Sequence, residues 1–200
     1  LKGADAGTST ANATAKDLAD ILARSTTASL TANDKVYDGS VAATGSLALN
    51  GVIAGDDVGV ADGGMASDSR NAGAGRTVTA SGIGLTGADA TNYVVNATAT
   101  DLADILARTI TATLAANDKT YDGTVGATGT FTLSGVIAGD QVGANGNLAF
   151  DSRNAGAGRT ATASGIGLTG VDAGNYTVNG SATDLADILA RAITATLAAN

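Results

Sequence analysis

The octapeptides Asn33–Ser40 (NDKVYDGS) and Asn117–Thr124 (NDKTYDGT) set a lysine, a tyrosine and an aspartate within four residues of one another. The chain has only 4 Tyr, 2 Phe and no Trp in 200 residues. A tyrosine that returns in the same setting is therefore either a site used twice or a fastener used once per domain. As a site, Asp38 and Asp122 would offer carboxylate oxygens to a cation or ligand beside Tyr37 and Tyr121. As a fastener, Asp-Gly closes a turn, and the tyrosine packs the domain edge with its hydroxyl bonded to backbone. The flanking pattern of strand, turn and strand favours the fastener.

Three other segments carry groups with chemical potential. DSRNAGAGRT recurs at Asp68–Thr77 and Asp151–Thr160. Its glycine N–H groups would form an anion nest, with Arg70, Arg76, Arg153 and Arg159 to hold a phosphate. No G-x-x-x-x-G-K-[ST] is present and no helix signal follows. A Gly-rich turn whose arginines pair nearby carboxylates is the simpler reading. GIGLTG, at Gly82–Gly87 and Gly165–Gly170, contains G-x-G-x-x-G, but strand signals follow it where a dinucleotide site needs a helix. Asp56, Asp57, Asp62 and Asp68 gather in one loop region; its counterpart keeps Asp140 and Asp151 and has Gln141 and Asn145 in place of others. Calcium takes six to eight oxygens from such loops. No EF-hand spacing occurs, so a solvated acidic loop is expected.

The chain has no His and no Cys. That removes the usual general base near neutral pH, the commonest metal ligand, and every thiolate or disulfide. Lys35 and Lys119 have no serine pattern around them, and Trp is absent where a sugar would stack. We assign no catalytic, cofactor-binding or metal-ligating residue, and read the chain as a non-enzyme. The formal charge is −8, which disfavours nucleic acid and anionic membrane as partners. No apolar run is long enough to span a bilayer.

The elements that position these groups come in copies. DLADILAR stands at Asp17–Arg24, Asp101–Arg108 and Asp184–Arg191, with offsets of 84 and 83 positions. The one-residue difference lies between GDDVGVADGGMASDSR and GDQVGANGNLAFDSR, which reads as a loop. Residues 25–108 and 109–191 are then two complete copies. Residues 1–24 match the tail of a preceding copy, and residues 192–200 the first strand of a following one. The period is too long for a solenoid coil and suits a small domain.

Within a copy, Ile110, Ala112 and Leu114 alternate with Thr109, Thr111 and Thr113. Phe131 with Leu133, Val78 with Ala80, and Tyr176 with Val178 repeat the period-two signal, separated by Gly-, Asn- and Asp-rich turns. Short strands at regular spacing predict an all-β fold: tandem small Ig-like sandwiches. DLADILAR itself is open between a strand, which we prefer, and one or two helical turns. No flexible linker separates the copies, and a strand running through the joint would make an elongated rod.

The segments ANDKVYDGSVAATGSLALNGVIAGDDV, SRNAGAGRTVTASGIGLTGADATNY and TATDLADILAR resemble the YDG-type repeats of bacterial filamentous-haemagglutinin-like surface proteins. The resemblance covers both complete copies and the end fragments. It departs at Leu1–Arg24, where GTSTANAT lacks the tyrosine of TNYVVNAT and GNYTVNGS. It implies spacer repeats in the stalk of a large secreted adhesin at the bacterial cell surface, with neighbouring repeats as partners and a host or matrix ligand reached through other regions. It implies no catalytic residue. A weak calcium- or glycan-binding module acting by multivalency is the alternative.

Overall fold

The computed structural model describes residues 16–61 and 63–198. Among them are strands and two three-residue 3-10 turns, and no α-helix. The alternation of apolar residues with threonine becomes strand pairing directly. Thr27–Ala32 runs antiparallel to Gly45–Asn50, and Arg108–Ala116 antiparallel to Gly129–Ser134, with Leu30 opposite Leu47 and Leu114 opposite Phe131. On its other side each leading strand takes a short parallel partner: Arg24–Ser25 pairs Tyr93–Val94, and Arg108 to Ile110 pair Tyr176–Val178. The result is a three-stranded sheet in the second copy and, in the first, two two-stranded sheets that meet at Thr26.

The second layer has four strands. In the second copy its order is Lys119–Thr120, Ser181–Leu189, Gly156–Thr169, Gly143–Phe150. In the first it is Lys35–Val36, Thr98–Leu106, Gly73–Ser81, Met65–Ser67. Both layers curl over a core of small residues. Ala112 and Leu114 face Ala161, Ala163, Ala186 and Ile188, with Phe150 and Ile166 at the margins. The first copy repeats this with Ala28, Leu30, Val78, Ala80 and Ala103, but has Ser67 where Phe150 stands.

Alanine side chains bury little area, so these layers gain modestly per residue from apolar burial. Polar staples between the layers supplement it. Asn179 accepts from the Ala112 N–H (2.8 Å) and donates to the Ala112 and Ser181 carbonyls (3.0 and 2.7 Å). Asn96 does the same for Ala28 and Thr98. Asp101 accepts from the Ala32 N–H (2.9 Å) and Asp184 from the Ala116 N–H (2.8 Å). Those N–H groups sit at the ends of strands, where the ladder offers no partner, and a carboxylate supplies one. These backbone donors hold both carboxyls below their usual range.

The DLADIL part of DLADILAR is strand in both complete copies, within Thr98–Leu106 and Ser181–Leu189. Leu102, Ile105 and Leu106 also have the spacing of a helix face, which is why helical turns stand as the alternative. The pairing with Gly73–Ser81 turns Ala103 and Ile105 inward and leaves Leu102 63% exposed. A continuous strand through the joint is not what forms. Thr98–Leu106 ends, Ala107 lies in no strand, and Arg108–Ala116 begins. That single residue moves the chain from the four-stranded layer of one copy to the three-stranded layer of the next.

The end segments are described only in part, since 1–15 and 199–200 lie outside the described residues, as does Asp62. Residues 16–23 and 190–198 carry no strand pairing and are exposed. Among the described residues, no helix is long and apolar enough to cross a membrane.

Candidate functional site

The YDG turn is built by the strand that precedes it. Lys35–Val36 pairs in parallel with Ile105 and Leu106, and the Tyr37 N–H donates to the Leu106 carbonyl (2.8 Å). Tyr37 therefore sits at the last residues of its copy, beside the crossing at Ala107. Asp38 then closes the turn: its Oδ1 accepts from the Ser40 N–H and hydroxyl (2.9 Å each) and from Lys35 Nζ (2.8 Å). Lys35 Nζ also donates to the carbonyls of Ser40 and Ala42 (2.8 Å each). The second copy repeats the clasp with Lys119, Asp122 and Thr124. The lysine hydrogen bond, with the Ser40 or Thr124 donors, holds Asp38 and Asp122 down at about 2. One oxygen of each carboxylate thus holds three donors of its own turn, and the lysine neutralises the charge a cation would need.

Around Tyr37 the two copies meet. Its ring is fully buried with Ile105 of its own copy and Ile110 and Tyr176 of the next. The Tyr37 and Tyr176 rings meet edge to face, with centroids 5.4 Å apart and planes at 77°, a geometry that adds to plain burial. The Tyr37 hydroxyl donates to Asp140 Oδ2 (2.7 Å), and the Tyr176 hydroxyl donates to the same oxygen (2.5 Å). Arg70 reaches across from the first copy: Nη2 donates to Asp140 Oδ1 (2.8 Å), Asp172 Oδ1 (3.2 Å) and the Tyr37 hydroxyl (3.2 Å). The Ala72 N–H donates to Asn175 Oδ1 (2.9 Å).

The Asp140 side chain is only 3% exposed. Burial alone would push its carboxyl up. The two tyrosine hydroxyls and the Arg70 guanidinium more than offset that, and the net shift is downward. Burial, then the bond to Asp140, pushes the Tyr37 hydroxyl up to about 12. The joint is a desolvated carboxylate holding one donor from its own copy and two from the neighbour.

The structure corrects the sequence reading in one respect. The Tyr37 hydroxyl bonds a carboxylate of the other copy and not backbone, because the turn lies at the crossing and not at a free edge. Among the described residues, Arg70 is the one of these four arginines that pairs carboxylates. Arg76 and Arg159 fold back on the carbonyls of Ala72 and Ala155 within their own turns. Arg153 makes no ion pair among the described residues. Asp56, in the acidic loop, accepts from Tyr93, while Asp57 accepts from the Ala88 N–H. No three acidic side chains converge into a metal-sized cluster among the described residues.

Sequence reasoning placed Asp140 in an acidic loop and Tyr176 on a strand face but did not join them with Asp172 and Asn175 into one half of the joint. Its signal was present as the repeated IAGD and the Asn-Tyr pair, but four residues spread over 37 positions show no common purpose until the loops converge.

A family profile for the YDG domain matches residues 21–101 and 107–184, one match per copy. The chain belongs to the YDG domain family. No curated protein and no solved structure matches it. In both YDG domains the motif aspartate enters the clasp and the glycine a left-handed turn, while the tyrosine meets the neighbouring domain at Tyr37 and packs against its own domain's core at Tyr121. Gly39 and Gly123 have φ of +78° and +82°, a region that costs an L-residue about 1–2 kcal/mol. At Gly123 an added Cβ meets nothing within 4 Å, whereas at Gly39 it lies 3.1 Å from Ile137 Cγ2 across the joint. Gly123→Ala is therefore expected to cost only the backbone term. Gly39→Ala is expected to cost more and to loosen the joint, as read by urea denaturation of both variants. Equal costs would remove Ile137 from the account.

Proposed function

We propose that the two YDG domains are structural spacers: repeats in the stalk of a large secreted bacterial cell-surface adhesin, outside the cell, where they hold a distal binding region away from the surface. In this reading the domains have no catalytic role, take no cofactor, and have neighbouring repeats as their partners. The observation that carries it is the joint. A spacer must keep successive units in fixed relation, and here one residue, Ala107, separates the strands of the two domains. The crossing is locked by a buried tyrosine and a buried, fully occupied carboxylate. Flexible linkers allow units to reorient, and a packed joint without slack does not.

The Cys-free, acidic composition suits such a chain. A net charge of −8 favours solubility, and absence of thiols prevents cross-linking under oxidising conditions. The resemblance to haemagglutinin-like surface proteins supports the setting, and the arrangement of tandem sandwiches as an elongated rod is part of the same proposal.

Small-angle X-ray scattering tests it. A particle much longer than it is wide is expected, with the same profile from low to high salt because the joint is buried. A compact globule, or a profile that only an ensemble of bent forms reproduces, would sink the stalk reading.

A further inference from the structure

In each domain the first and last stretches of strand run side by side in the same direction. Arg108–Ala116 passes through Asn117 and Asp118 into Lys119–Thr120, and Tyr176–Val178 passes through Asn179 and Gly180 into Ser181–Leu189. Both paths cross from the first layer to the second. At their start Arg108, Thr109 and Ile110 pair in parallel with Tyr176, Thr177 and Val178. At their end Lys119 and Thr120 pair in parallel with Ile188 and Leu189, and the Tyr121 N–H donates to the Leu189 carbonyl (2.8 Å).

Between these ends the two paths lie in different sheets, and side chains take over the linkage. Asn179 holds both the N–H and the carbonyl of Ala112. Asp184 accepts from the Ala116 N–H (2.8 Å), and Asp118 accepts from the Asp187 N–H (2.7 Å). The polar staples thus continue a seam whose two ends are backbone pairing. The first domain repeats it. Arg24 and Ser25 pair with Tyr93 and Val94, and Lys35 and Val36 with Ile105 and Leu106. Between them Asn96 holds Ala28, Asp101 holds Ala32, and Asp34 accepts from the Asp104 N–H (2.6 Å).

We propose that this seam is a shear clamp, and that bearing tension along the chain is a function of the two domains. The chain enters the second domain at the start of one path, Arg108, and leaves it at the end of the other, Leu189. Pulling those points apart drags the parallel paths past each other in opposite directions. Bonds of a parallel pair are evenly spaced along the strands, so the pull loads them together and they must fail together. A hairpin pulled from its open end breaks one bond at a time. Through Ala107 the load leaves Leu106, at the end of the first seam, and enters Arg108, at the start of the second. The inference rests on strand order within each domain and not on the stalk reading: a chain that scattered as a compact globule would keep its seams.

Force-clamp spectroscopy of the 200-residue chain, held by its two ends, tests it, because forced unfolding reports the unfolding rate. Two steps are expected, one per domain. Asn179→Ala is expected to speed one step about tenfold or more at constant tension, through the lost hydrogen bonds across the seam, and to leave the other step unchanged. Asp118→Ala, at an exposed residue, serves as a second seam variant should Asn179→Ala fail to fold. Leu148→Ala is the control, since it removes core contacts on Gly143–Phe150, a strand outside the seam. It is expected to lower the urea midpoint yet to change the rate under tension less than about twofold, because contacts that persist while the seam parts do not govern unfolding. A chain that extends without two resolved steps overturns the proposal. So do seam variants that leave both steps unchanged, and so does a Leu148→Ala chain that yields as fast as a seam variant of equal urea cost.

Discussion

Replacing Tyr37 by alanine is expected to cost about 3–5 kcal/mol, the range for emptying a fully buried aromatic site. Tyr121→Ala, the same change in the same motif, is expected to cost about 1–2 kcal/mol because less area leaves the core. The two tyrosines differ only in what covers them. Tyr37 is 0% exposed against Ile110 and Tyr176 of the next domain, while Tyr121 lines an open groove. Tyr37→Ala also removes a donor to Asp140 and an edge-to-face partner of Tyr176. The domains should then lose their coupling, so that a single urea transition separates into two. Equal costs for the two variants would mean that the motif tyrosine serves its own domain alone, and the joint would lose its central residue.

Asp140→Ala is the second large effect, at about 2–6 kcal/mol, because it leaves two buried hydroxyls without their acceptor at about 1–3 kcal/mol each, while the part-exposed Arg70 keeps water and Asp172. Arg70 and the hydroxyls of Tyr37 and Tyr176 would all lose an acceptor. The counterpart Asp56→Ala strands only the Tyr93 hydroxyl and is expected to cost clearly less. The same residues fix the pH dependence. The Asp140 carboxyl is lowered in the folded state, so its contribution is present above the ordinary carboxylate value of about 3.9 and is lost as pH falls through the lowered value. Tyr37 runs the other way. It is raised to about 12, so its contribution is complete below the ordinary tyrosine value of about 10 and is lost as pH rises through 12. The joint is strongest between these limits. Urea midpoints measured against pH should show a shallower acid limb in Asp140→Ala than in the parent chain. Superimposable limbs would rule out Asp140 as the acid-sensitive group.

Much of each domain was legible in the sequence, and the reason is local. Apolar–threonine alternation at Ile110–Leu114 needs only the two-residue period of a strand to choose its face. Asp-Gly in YDG needs only the positive φ that glycine accepts. Both depend on near neighbours in the chain, and both appear as expected. The preferred strand reading of DLADILAR holds, and the helical spacing of Leu102, Ile105 and Leu106 kept a helix open only because periodicity records spacing and not register. Pairing with Gly73–Ser81 set the register and turned Leu102 outward.

The internal repeat, the strand pattern and the turn chemistry were thus determined by sequence alone, since covalent spacing and backbone sterics suffice to produce them. What only the tertiary structure decided is the difference between two identical motifs. Tyr37 and Tyr121 share the pattern NDK-x-YDG, yet one is sealed and one lines a groove. Burial depends on which surface arrives from more than 100 residues away: the Tyr37 hydroxyl meets Asp140 at a separation of 103 positions. No local pattern encodes that meeting. It arises when Ala107 carries the chain from one layer to the next and brings a carboxylate and two phenols out of water together, with a guanidinium at their solvent edge.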